Sequence, residues 1–221
     1  MSKWKKIWSI SAWVAMAASL VLCIGVANKQ QNDLTCSEIK IKINDEDGHY
    51  FVEEEDIRTL LVDKGKDVRG LKLHAINIGL LEKILKNNSF VSNAEVFSTI
   101  DGKVNIAIDQ RRPLVRILNN AEEHYYIDSK GKYMPLSDKY TARVVVANGQ
   151  IINRFGEKEV MTKENCDSCF TAQTLSGEIF KVASFIDNDP FWKSFVEQIY
   201  VTSDMELELI PKVGSYRIII G

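Results

Sequence analysis

The stretch Phe90–Pro113, F-V-S-N-A-E-V-F-S-T-I-D-G-K-V-N-I-A-I-D-Q-R-R-P, decides the reading of the fold. Phe90 to Ile100 reads as one strand. Asp101-Gly102 between two extended runs is a hairpin signal, because a tight turn needs residues that tolerate positive φ. Val104, Ile106 and Ile108 then alternate with Asn105, Ala107 and Asp109. That period of two marks a strand with one buried face. Arg111-Arg112-Pro113 ends the hairpin, and beyond Pro113 the chain changes character.

Upstream of the hairpin, Ile39, Ile41 and Ile43 alternate with Lys40, Lys42 and Asn44, a half-buried strand. Asp45-Glu46-Asp47-Gly48 is a turn. Phe51-Val52 leads into Glu53-Glu54-Glu55-Asp56, acids placed in a first helical turn where the helix dipole favours them. Ile57, Leu60 and Leu61 follow at helical spacing. Leu73, Ile76, Leu80, Leu81, Ile84 and Leu85 form the apolar stripe of a second helix, ending at Asn87-Asn88. Residues 36–110 thus spell strand, helix, helix, strand, strand.

Downstream the chain is strand-rich. Leu114–Leu118, Tyr125–Asp128, Tyr133–Leu136, Arg143–Ala147, Ile199–Thr202, Met205–Ile210 and Tyr216–Ile220 read as strands. A helix is expected within 172–186, continued by Phe191–Phe195 after Pro190. Tyr125-Tyr126 sends its rings to opposite faces of a strand, one expected in a core and one exposed. The fold class is α+β, a small β-α-α-β-β module followed by a mixed β-rich domain.

Ile7 to Asn28 contains no charged residue over 22 positions, about 33 Å of helix at 1.5 Å per residue, enough to cross a hydrocarbon core of about 30 Å. Lys3, Lys5 and Lys6 precede it, which places the N-terminus on the cytoplasmic side and the bulk outside. Trp4 and Trp8 stand where interfacial aromatics belong. The expected organisation is a cytoplasmic end (1–6), a transmembrane helix (7–28), a polar linker (29–36), the first module (37–110) and the β domain (111–221). Two alternatives stay open. Gly25-Val26-Ala27 offers small residues for signal cleavage, although the run is longer than a signal core of about 7–15 residues. Cys23 suggests lipidation, although Leu22 before it is bulky.

Forty-five per cent hydrophobic residues fill cores, and a net charge of −2 without a basic stripe gives no sign of nucleic-acid binding. There is no G-x-S-x-G, H-E-x-x-H or P-loop. Four consecutive acids at Glu53–Asp56 point around a whole helical turn and do not converge on one ion. The histidines, His49, His74 and His124, are scattered, and Cys166-x-x-Cys169 has no second pair to make a zinc site. That pair follows a polar segment rather than a core strand, which favours a loop or a disulfide in an oxidising compartment; a periplasmic thiol redox role is the alternative. Arg111 and Arg112 could bind a phosphate, but two arginines before a proline more often hold a domain junction together. No catalytic, cofactor or metal residue and no small-molecule substrate is expected.

Taken together, this order of parts resembles the bacterial cell division family FtsQ/DivIB. Phe51–Ile57 is similar to the entry of the first helix of a POTRA module, Asp109–Leu114 to the step that closes it, Tyr126–Pro135 to the family's strand-turn-strand, and Ile210–Gly214 with Ile218–Gly221 to its late strands. The resemblance implies a non-enzymatic divisome scaffold, single-pass and type II in the inner membrane at the septum, linking early and late division proteins and septal peptidoglycan synthesis. It implies FtsB/FtsL-like membrane partners held by protein–protein contacts. The family continues past its last glycine with a helix and a further strand, so its C-terminal end is expected to be missing here. A POTRA-containing assembly or secretion factor is the neighbouring alternative.

Overall fold

The computed structural model describes residues 8, 13–23, 34–44, 48, 50–152, 155 and 174–220. Residues 13–23 are helical and exposed. Among the described residues no helix is long and apolar enough to cross a membrane.

The first module is built on strands β1 (Glu38–Asn44), β2 (Val91–Ser98) and β3 (Lys103–Gln110), in the order β1-β3-β2. β1 runs parallel to β3, Ile41 opposite Ile106, and β2 antiparallel, Val96 opposite Ile106. The alternating isoleucines and valines all face helices α1 (Glu54–Asp63) and α2 (Ile78–Lys86). A parallel β1–β3 pair needs a long crossover, and the two helices with β2 supply it. Asp56 accepts from the Glu53 N–H at 3.0 Å, closing the first turn of α1.

At the tip of the β2–β3 hairpin, Gly102 has φ +83° and its N–H donates to Thr99 O. A Cβ there would stand 3.0 Å from Thr35 O, so the turn and the incoming chain both require glycine. Cys36, expected at the end of the linker, is instead 2% exposed in this core.

The stripe from Leu73 to Leu85 is not one helix. Leu73–Ala75 is a 3₁₀ turn, and α2 begins only after Asn77, whose side-chain oxygen accepts from Leu80 N–H at 3.0 Å. Leu73 and Ile76 still pack on the core, which explains their apolar spacing.

The second domain is a seven-stranded sheet, ordered β10-β9-β8-β7-β4-β5-β6. Its strands are β4 (Pro113–Leu118), β5 (His124–Asp128), β6 (Tyr133–Pro135), β7 (Val145–Gly149), β8 (Val196–Val201), β9 (Leu207–Pro211) and β10 (Ile218–Ile219). β4, β7 and β8 are mutually parallel; the other neighbours are antiparallel. Helix α3 (Leu175–Asn188) covers one face through Ile179, Ala183 and Ile186. It does not run on past Pro190. Asp189 caps a separate short helix, α4 (Pro190–Phe195), with proline at its start. Gly149 on β7 has φ +101°, and a Cβ would lie 2.2 Å from Val201 O on β8.

The two domains share a core. Tyr126, Met134 and Ala142 of the second domain belong to the same apolar cluster as Phe51 and Phe90 of the first. Phe51 lies edge-to-face with Tyr140 at 4.9 Å and with Tyr126 at 6.1 Å. This corrects the expectation that one of Tyr125 and Tyr126 is exposed. Their rings do take opposite faces of β5, but Tyr125 enters the second domain's core and Tyr126 the shared one. The face expected to meet water is covered by the first module.

Candidate functional site

Both arginines of the Arg111-Arg112-Pro113 step reach into the second domain. The Arg111 N–H holds to the first module by donating to Phe90 O at 2.9 Å, while its guanidinium meets Asp128 on β5 at 2.8 Å. That ion pair is buried, with side chains 15% and 2% exposed. Asp128 also accepts from the Lys130 and Lys132 amides at 2.9 and 2.8 Å, so one carboxylate ties the β5–β6 turn to the junction. Arg112 pairs with Asp187 at the end of α3, which also takes Lys193 Nζ at 2.7 Å. Burial pushes the Asp187 carboxyl up, but the hydrogen bonds from Lys193 and Arg112 outweigh it and hold the pKa below the usual range.

A strap between β6 and β7 closes the junction from the other side. Lys139 Nζ meets Asp56 at 2.7 Å at the start of α1, lowering that carboxyl's pKa mainly through the hydrogen bond. The buried Ala142 N–H donates to the Tyr126 hydroxyl at 3.3 Å. The acidic run Glu53–Asp56 is therefore in part a contact point for the second domain, with Glu53 also within 3.5 Å of Lys139.

Cys166 and Cys169 lie outside the described residues. Cys23 and Cys36 are free. Cys36 is buried, and burial pushes its thiol up. No group of three or more His, Cys, Asp or Glu suited to a metal ion occurs among the described residues.

The sheet edges differ in how they are guarded. On β2 the outward Val96 N–H is taken by Glu82 Oε1 at 3.0 Å. On β1, Arg58 reaches Ile39 O at 3.4 Å, and Lys40 and Lys42 face outward into solvent. β6 is three residues long and ends at Pro135. Among the described residues β10 carries no such guard. It is the outermost strand of its sheet among the described residues, its Ile220 N–H bonds inward to Leu207 O at 2.9 Å, and Ile219 and Ile220 are 66% and 48% exposed. Beside it Tyr216 leans on Phe195, 6.2 Å between ring centres. An edge of this kind exposes unpaired N–H and C=O groups that can accept a partner's strand. That β10 supplies the edge depends on strand order, which has no local signature in the sequence.

Comparison with known families gives two matches in tandem. A model described as POTRA-like domain matches residues 34–109, and one described as FtsQ/DivIB, C-terminal related, matches residues 112–221. No curated protein matches the chain.

Proposed function

Because the chain belongs to the FtsQ/DivIB family, with that family's C-terminal related domain behind a POTRA-like one, we propose that it is a non-enzymatic scaffold of the division machinery. It links early and late division proteins and keeps septal wall synthesis in place through protein–protein contacts. The tandem order of the two matched domains is the observation that carries this reading. The uncharged run Ile7–Asn28 serves as a single retained span, N-terminus inside, and holds both domains on the outer side of the inner membrane. The buried junction supports the same role, since a rigid two-domain body passes a fixed geometry from the membrane to a partner.

The docking surface is the β10 edge, where an FtsB/FtsL-like partner adds a strand. Inward-facing bonds alternate along a strand, so with Ile220 bonded to β9 the N–H and C=O of Ile219 point outward. Ile219→Pro removes that donor and leaves the Ile220 bond to β9 in place. Affinity purification of the full-length protein from membranes should recover other division proteins, and Ile219→Pro should lose the strand-adding partner. Ile219→Lys, which keeps the backbone donor, checks that the loss is not unfolding. Depletion should block septation; cells that divide normally without the protein would refute the scaffold reading. A mature N-terminus beginning after residue 27 would refute the retained span.

A further inference from the structure

Four neighbouring strands deliver one cation each to the same end of the second sheet. Arg112 immediately precedes β4, Arg143 precedes β7, Lys193 sits in α4 just before β8, and Lys212 follows β9. The register aligns them. Val115 stands opposite Val145, Val146 opposite Gln198 and Val196 opposite Pro211, and the Lys212 N–H donates to Phe195 O at 2.8 Å. With neighbouring strands about 4.8 Å apart, the row is about 14 Å long. It lines a cleft of about 540 Å³ whose floor includes the buried Leu114 and Ile186. Two carboxylates share the cleft. Asp187 is already engaged by Arg112 and Lys193, and Glu197 stands exposed at the rim. Arg143 and Lys212 are exposed, and neither has a carboxylate partner among the described residues. Among the described residues the Lys212 amine donates to the Lys193 carbonyl alone, at 3.1 Å. The cleft is thus net positive in a chain whose net charge is −2.

We propose that this cleft binds an acidic, extended peptide segment of a partner protein. Carboxylates of the segment pair with Arg143 and Lys212, and its aliphatic side chains rest on the apolar floor. The cations stand in a row and do not converge, which suits a ligand with spaced charges better than a compact phosphate. The cleft also lies at the Gln110 end of β3, while the chain enters the first module at the Lys103 end, against Glu38. The eight residues of β3 put about 23 Å between those ends, which removes the cleft from lipid headgroups at the entry side. The choice of a protein as occupant rests on the scaffold reading. The cleft itself does not involve the β10 edge.

The test uses the full chain in an uncharged detergent and a fluorescent octapeptide alternating glutamate and valine, read by anisotropy. Arg143→Glu with Lys212→Glu should weaken binding about tenfold or more. Lys40→Glu with Lys42→Glu, the same charge change on exposed β1 positions, should leave it within about twofold, and a glutamine–valine peptide should not bind. Absent binding, or equal weakening by both double variants, overturns the proposal. So does full displacement of the peptide by inorganic phosphate, or binding to phosphatidylglycerol vesicles that the Arg143/Lys212 variant abolishes while peptide binding persists. Any of these failures leaves the Ile219-dependent capture of division partners, and with it the scaffold reading, untouched.

Discussion

Asp128→Ala tests whether the Arg111–Asp128 pair holds the two domains together. The substitution leaves the Arg111 guanidinium buried without its counter-charge, while its Nε already lacks a partner. It also strips the acceptor from the Lys130 and Lys132 amides, although the Ser129–Lys130 turn is open enough for water to replace part of that. Breaking a buried pair from one side costs about 3–5 kcal/mol. For a chain of this size each kcal/mol moves the melting midpoint by about 2–4 °C, so a fall of roughly 10 °C is expected. Asp128→Asn keeps an oxygen for the turn amides and removes only the charge, and should cost about 1–3 kcal/mol. The assay is thermal and urea unfolding of the full chain, with Arg111→Met, Asp128→Asn and the double variant closing a cycle. A coupling energy of about 1.5 kcal/mol or more is expected. A loss under about 1 kcal/mol for Asp128→Ala, or a coupling near zero, would show that the shared apolar core alone fixes the junction.

Gly149→Ala should cost about 3 kcal/mol or more, because its Cβ would collide with backbone atoms of Val201 that cannot move aside; Gly65→Ala, where the space is open and only a φ of +62° resists, should cost about 1 kcal/mol, and melting curves of the pair check the contrast. Tyr126→Phe deprives the buried Ala142 N–H of its acceptor and should cost about 1–3 kcal/mol by urea denaturation, whereas an unchanged midpoint would place water there. Acid should destabilise the chain. Asp56 and Asp67 are held below their unfolded value of 3.8, chiefly by the Lys139 and Arg69 hydrogen bonds, so their contribution is full above about pH 4 and lost as pH falls further. A pH series of melting points checks the sign, and Asp56→Asn should shallow the acid slope.

The strands of the first module are legible because each has one face in a core. Ile39, Ile41 and Ile43 pair in register with Val104, Ile106 and Ile108, and both sets show the period of two. Leu73 and Ile76 mislead because apolar spacing reports burial and not helix. The stop signal is present in Asn77, a good N-cap, and the periodicity masks it. Tyr126 escapes a local reading for a nonlocal reason: the pleat is plain, but nothing near residue 126 says that Phe51 covers the far face. The junction arginines are visible as a doublet before proline, yet their acceptors lie 17 and 75 residues further on. Arg143, Lys193 and Lys212 carry no joint signature at all, since only the strand order β9-β8-β7-β4 makes them a row.

The guarded and unguarded edges explain why a protein with two open sheets need not assemble with itself at random. A free edge is indifferent to the strand it receives, so a sheet protein stays selective by closing the edges it does not use. Here Glu82 occupies a donor on β2, Arg58 an acceptor on β1, and Pro135 ends a three-residue β6. Each guard lies on a side chain or a short strand and can be removed singly. Glu82→Ala frees the Val96 N–H and leaves the β2 side chains facing the core unchanged. If closure by Glu82 is what keeps β2 unpaired, this variant should self-associate in a concentration-dependent way in sedimentation measurements, while its melting point falls by no more than about 1–2 kcal/mol equivalent. A variant that stays as the wild type does would mean that Phe97 and Glu95, exposed on the same strand, or the twist of a three-stranded sheet already protect it, and that selectivity resides in the β10 side alone.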